Sequence, residues 1–135
     1  MRVWLFAFVS GFLATLLFHQ GVIAGFYTAG AIAAAPWNMT PVAPLGVPQV
    51  ISLAFWGGVW GVPIWYLVRK LSGAQFWLAV LALGAIGPTA VAMLLVFPLK
   101  GLAVTATTVV GGLLVNAAWG LGLGLLMRYL FRVRR

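Results

Sequence analysis

The chain has no aspartate, no glutamate and no cysteine, and its only histidine is His19. Without carboxylates it cannot form an acid–base pair, a Ca²⁺ or Mg²⁺ cage, or the carboxylate proton relay that pumps use. Without thiols it has no disulfide, no iron–sulfur ligation and no thiolate nucleophile. One imidazole does not complete a zinc site or a pair of axial haem ligands. We therefore expect no catalytic residue, no metal and no cofactor. Charge is scarce as well: 6% of the residues carry it, against about a quarter in water-soluble domains.

What the chain does have is apolar surface. Of its 135 residues 64% are hydrophobic, and the mean hydropathy is +1.15. So few polar groups cannot cover a globule in water, so hydrocarbon is the expected solvent. At about 20 apolar residues per crossing, the length accommodates four spans with little to spare. We expect a single domain, an all-α four-helix transmembrane bundle. Its spans lie near residues 3–24 (extending as far as 35), 48–68, 76–97 and 102–127. A signal peptide is the competing reading of the first span, but the apolar run outlasts the usual core of one. As one straight helix, residues 3–35 would measure roughly 50 Å, so a steep tilt or a bend near Gly21 or Gly25 is expected.

The net charge of +8 does not point to nucleic acid, because its placement follows the ends of the apolar runs. Arg2, Arg69, Lys70, Arg128, Arg132, Arg134 and Arg135 fall on one side of the layout and Lys100 on the other. The positive-inside rule then puts both termini in the cytoplasm of a bacterial inner membrane. Residues 36–47 form an outward loop rich in proline, which has no amide hydrogen and disfavours helix in its predecessor. The loop contains Asn38-Met39-Thr40, a sequon read here as an ordinary loop asparagine. Pro63 and Pro88 fall inside spans and predict kinks. Trp60-Gly61 precedes Arg69 by the interval at which Trp119-Gly120 precedes Arg128, which suggests two hairpins in a parallel repeat.

The stretch TVVGGLLVNAAWGLGLG, residues 108–124, places Thr108, Gly112, Asn116, Gly120 and Gly124 four apart and hence on one helix face. Inside a bilayer small residues let a second backbone approach closely. Gly57 and Gly61 make a second small-residue seam, beside Trp56 and Trp60. The same stretch admits a functional reading, with the two indoles stacking on a ligand. Polar side chains inside the spans are the remaining candidates: His19, Gln20, Gln49, Ser52, Thr105, Thr108 and Asn116. They could converge beneath the loop as a small vestibule for a ligand. Alternatively they bond neighbouring helices or their own backbone, as such residues commonly do.

The run PLGVPQVISLAFWGGVWG, with LLFHQG upstream, resembles an uncharacterised family of small four-span bacterial inner-membrane proteins. That likeness implies a location and a topology but no activity. Separately, Gly112-Leu113-Leu114-Val115-Asn116 with Gly120 and Gly124 is similar to a Gly-x-Leu-x-Val-Asn stretch of small dimeric fluoride channels, which are also four-span, Gly-rich and basic. In those channels the Asn-bearing helix comes early, whereas here it is last. Their Thr-Thr-Phe-Ser-Thr-Phe motif has no counterpart, since Thr107-Thr108 is followed by Val109-Val110. Two functions are expected from these features. The first is a non-enzymatic protein working through helix contacts, as a homo-oligomer or a membrane-complex partner surrounded by lipid. The second is a small channel or transporter for an anion or neutral solute.

Overall fold

The structure, a computed structural model, describes residues 1–132; Arg134 and Arg135 of the expected basic cluster lie outside the described residues. Four helices dominate it: α1 Arg2–Thr28, α2 Gln49–Val68, α3 Gly73–Leu99 and α4 Ala106–Leu130. Each is long and apolar enough to cross a membrane. The linker between α1 and α2 contains a minimal antiparallel hairpin, β1 Pro41–Val42 with β2 Val47–Pro48.

The first helix stops at Thr28 and does not reach residue 35. Gly30 has φ +73, and the amides of Ala29, Gly30 and Ala31 bond back to Gly25, Tyr27 and Phe26, which closes the helix end. Gly21 and Gly25 sit in regular helix, and the irregularity is a π-helical turn at Thr15–His19. Similar turns occur at Ala92–Val96 in α3 and at Leu126–Leu130 in α4. Pro63 and Pro88 lie within continuous helix. The third helix extends beyond the expected 76–97 at both ends, and the fourth is shifted from 102–127 to Ala106–Leu130. At α4 the cause is local: Thr105 caps the helix, so residues 102–104 remain extended loop.

α1 packs chiefly on α2, α3 on α4, and α1 meets α4 between the two hairpins. Glycine makes these approaches possible. A Cβ on Gly61 would lie 2.5 Å from the Ala7 carbonyl oxygen and 3.3 Å from Gly11 Cα. A Cβ on Gly120 would lie 2.5 Å from the Val80 carbonyl oxygen and 3.1 Å from Gly84 Cα. Each is too close for any side chain, so only hydrogen fits. The two hairpins use the same construction, since Ala7 and Gly11 are spaced like Val80 and Gly84 in the other first helix. Gly57 packs against Gly11 and Thr15, Gly112 faces Thr89 and Met93, and Gly124 faces Trp77, Val80 and Phe76. All five glycines of the two expected seams are therefore covered by neighbours within the chain.

Two tryptophans tie the hairpins together. Trp60 of α2 lays its ring on Gly87 of α3, while Trp119 of α4 donates its indole N–H to the Gly11 carbonyl of α1 at 2.9 Å. The Thr15 hydroxyl donates to the same carbonyl at 3.1 Å. These contacts answer the question left open for Trp60: its ring packs on a helix. Toward the basic end the interior is filled by Ile64, Trp65, Val68, Phe76, Val80, Trp119, Leu123 and Met127.

The sequence has no Asp or Glu side chain, and among the described residues aromatic rings and a backbone carbonyl lie against two of the guanidinium groups. Arg69 lies over the rings of Tyr66 and Trp4, at 4.8 and 5.5 Å from their centroids. Arg128 lies over Phe76 at 4.0 Å and donates to the Leu71 carbonyl at 2.9 Å. Cation–π attraction of this kind strengthens where water is excluded. The outer surface of the bundle is apolar: Phe55, Trp56, Leu67, Leu78, Ile86, Leu94 and Leu114 are all at least half exposed.

Candidate functional site

At the end of the bundle opposite the arginines, α1, α2 and the loop between them line a half-open cleft of about 120 Å³. Its polar lining is His19 and Gln20 from α1, Asn38 from the loop and Gln49 from the start of α2, with Ile23, Val50 and Leu53 as apolar walls. Three of the expected candidates are thus brought together: His19, Gln20 and Gln49.

The π-turn explains how α1 presents its adjacent polar pair. In a regular helix the Gln20 amide would bond the Leu16 carbonyl, four residues back. Here it bonds the carbonyls of Thr15 and Leu17. The Leu16 oxygen turns outward and accepts the Trp37 indole N–H at 2.8 Å. The backbone N–H of Trp37 donates to Gln20 Oε1 at 2.7 Å, so one loop residue is fastened to α1 twice. Trp37 has φ 48, a left-handed conformation costing a non-glycine residue about 1–2 kcal/mol, and the two bonds offset that cost.

The loop also caps α2. The amides of Gln49 and Val50 donate to the carbonyls of Thr40 and Asn38 at 2.9 and 3.0 Å, which satisfies two of the orphan donors at the helix start. Asn38 Oδ1 accepts the Thr40 N–H at 2.8 Å, a local turn of the kind asparagine favours. That turn fixes the Asn38 side chain within the loop segment that lines the cleft. Gln20 is 4% exposed, and its Nε2 lies 3.4 Å from His19 Nδ1.

The other expected candidates do not join the cleft. Thr105 and Thr108 form a reciprocal cap on α4: the Thr108 N–H donates to Thr105 Oγ1 at 3.2 Å, and the Thr105 N–H to Thr108 Oγ1 at 2.8 Å. Helix ends need such partners, and this one takes both hydroxyls. Asn116 donates to Thr89 Oγ1 at 2.9 Å, linking α4 to α3 as inter-helix glue. Ser52 is half-buried on α2 outside the cleft lining. Asn38, which lines the cleft, and Trp37, which fastens the loop to α1, are positions that the sequence reading did not place there. The signal available was an asparagine and a tryptophan in an uncharged loop, and nothing in the sequence showed which helix they would meet.

No group of three or more His, Cys, Asp or Glu side chains able to hold a metal occurs among the described residues. The polar side chains that line the cleft are one imidazole and three carboxamides, groups that form hydrogen bonds. No family model, curated protein or solved structure matches the chain.

Proposed function

We propose that the chain is a four-span integral membrane protein that binds a small solute in this cleft and moves it as a transporter. The carrying observation is that four polar side chains from two helices and their loop converge on one small cleft, while glycine seams hold the rest of the bundle closed. The outward Phe, Trp and Leu side chains support membrane residence, since apolar exposure on this scale marks contact with lipid or a partner. The positive-inside rule then gives both termini a cytoplasmic side, in a bacterial inner membrane, with the cleft facing outward. Below the cleft the interior is filled by Trp119, Leu123 and Met127. Passage therefore needs a rearrangement, and the π-turn beside His19 is the natural place for it, because such turns break the regular hydrogen-bond ladder. The matched contacts of Gly61 and Gly120 support reading the two hairpins as a parallel repeat about an axis along the membrane normal. Membership of the small four-span bacterial family that the sequence resembles belongs to the same proposal, and so does the absence of an enzymatic activity.

Flux into liposomes containing the purified protein tests this reading. Halides, small organic anions and neutral solutes are each offered, with Gln49→Ala as the cleft variant. Flux of at least one solute that falls in Gln49→Ala is expected. No flux of any of them, in either orientation, would remove the reading.

A second reading is favoured by one observation. Gly21 and Gly25 are exposed, four apart on α1, with nothing within 4 Å of the positions their side chains would take. This seam has no occupant inside the chain, unlike Gly57, Gly61, Gly112, Gly120 and Gly124. It supports a homo-oligomer or a complex with another membrane protein, made through the outer half of α1. A Gly21→Leu, Gly25→Leu variant with the same size as the unaltered protein in detergent would refute assembly by that seam.

A further inference from the structure

We infer that an anionic phospholipid binds at the basic end of the α1–α2 seam, with its phosphate on Arg69 and an acyl chain along a row of aromatic rings. The inference rests on the membrane residence proposed above and is independent of the solute cleft at the other end. Arg69, which closes α2, is half-buried. Its Nε is enclosed, and its side chain donates no hydrogen bond among the described residues. Its contacts are the rings of Tyr66 and Trp4, 4.8 and 5.5 Å from the guanidinium carbon. The two rings lie only 6.1 Å from each other, so they do not sandwich the guanidinium and instead crowd one side of it. A ring face attracts the charge but leaves the in-plane N–H donors without an oxygen acceptor. Arg128 differs, since it donates to the Leu71 carbonyl. A phosphate supplies what Arg69 lacks, because two of its oxygens match the guanidinium fork.

The seam beside Arg69 fits the rest of a lipid, which a free anion would not use. Trp4 and Phe8 are one turn apart on α1, and Tyr66 and Phe55 are three turns apart on α2, so each pair shares a helix face. Across the seam Trp4 meets Tyr66 at 6.1 Å and Phe8 meets Phe55 at 5.8 Å. Tyr66 and Phe55 are 56% and 50% exposed, so the row lies on the outside of the bundle. At about 1.5 Å per residue it descends roughly 16 Å from Tyr66 to Phe55, the depth of one leaflet where the hydrocarbon is about 30 Å thick. Charge selects the sign of the lipid. The sequence has no Asp or Glu, and Arg2, Lys70 and Arg132 are exposed at the same end. Basic groups between helices at the cytoplasmic face hold anionic headgroups in this way. A zwitterionic lipid would bring a cation that these residues repel.

The test places the full chain, labelled with ¹⁵N, in phosphatidylcholine nanodiscs and replaces that lipid stepwise with phosphatidylglycerol. The Arg69 Nε–H and Trp4 indole signals should move saturably with phosphatidylglycerol, and inorganic phosphate at matched ionic strength should leave them in place. Phosphatidylglycerol with a nitroxide midway along its chain should broaden the Phe8 and Phe55 amide signals at a lower mole fraction than those of Leu78 and Ile86, exposed on α3. Arg69→Gln should weaken binding about tenfold or more. Arg69→Lys, which keeps the charge without the fork, should fall between Arg69→Gln and the unaltered chain. Lys70→Gln removes the same charge from the same end and should lose only the diffuse attraction, about fivefold or less. Equal losses in Arg69→Gln and Lys70→Gln, no preference for phosphatidylglycerol, equal broadening on α3, or equal movement with inorganic phosphate would each overturn the lipid site and leave membrane residence standing. A chain that stays dissolved without lipid or detergent would overturn membrane residence, and the site with it.

Discussion

Gly120→Ala is the sharpest test of the packing. The added methyl would lie 2.5 Å from the Val80 carbonyl oxygen and 3.1 Å from Gly84 Cα, and both are backbone atoms of the facing helix. An ordinary contact needs about 3.4 Å or more, so α3 and α4 must separate by roughly 1 Å along the seam. Overpacking of this kind costs about 1–3 kcal/mol. The intrinsic preference of a helix for alanine over glycine, about 1 kcal/mol, acts in the opposite direction. The net expectation is destabilisation by about 1–2 kcal/mol. Gly111, adjacent to the seam residue Gly112 but on another side of the helix, has nothing within 4 Å of its missing side chain, so Gly111→Ala should be neutral or stabilising by up to about 1 kcal/mol. Denaturant titration in mixed micelles, followed by tryptophan fluorescence, measures both. Equal midpoints for the two variants, or Gly111→Ala as the weaker protein, would refute the backbone-contact reasoning. Gly61→Ala meets the same kind of carbonyl in the other hairpin and should behave like Gly120→Ala.

Other expectations follow from single hydrogen bonds. Trp119→Phe keeps most of the ring and loses the bond to Gly11, which should cost about 1 kcal/mol in the same titration, because Thr15 still serves that carbonyl. Asn116→Ala should cost only about 0.6 kcal/mol, the usual worth of an inter-helix bond in a membrane. Thr105→Ala removes the cap on α4 and should lower stability by about 1 kcal/mol, with faster amide exchange confined to the first turn of that helix. Gln20→Leu leaves the Trp37 N–H without its acceptor, so exchange of that amide should rise by about tenfold or more, while the helices beneath keep their protection.

The helices were legible because hydrocarbon imposes a length and a composition on anything that crosses it. Arg69-Lys70 and Arg128 mark two ends, and the charge-free stretches between them read directly as spans. The glycine periodicity was legible too, but its partners were not. Spacing shows that Gly112, Gly120 and Gly124 share a face, and it does not show whether that face meets α3 or a second molecule. The end of α1 was left open between residues 24 and 35 for a related reason: Ala29 to Ala35 is apolar enough for a helix, and termination at Thr28 coincides with one left-handed glycine. The cleft was half legible. His19, Gln20 and Gln49 stand out as polar groups at the edges of spans. Asn38 looked like any loop asparagine, because its place is set by a single tryptophan bonding across to α1. Thr105 and Thr108 were candidates for the opposite reason, since a capping pair and a ligand pair look alike until the N–H groups are located.

The absence of native cysteine makes one measurement decisive for the proposal that the protein is membrane-embedded with its cleft facing outward. Single-cysteine variants are labelled in intact cells and in inverted vesicles with a thiol reagent that cannot cross the membrane. Gln49→Cys should react from outside and Lys70→Cys from inside, whereas Ser10→Cys, nearly isosteric and at a position with no exposure, should react from neither. Reaction of the first two from the same side, or ready labelling at position 10, would contradict the account.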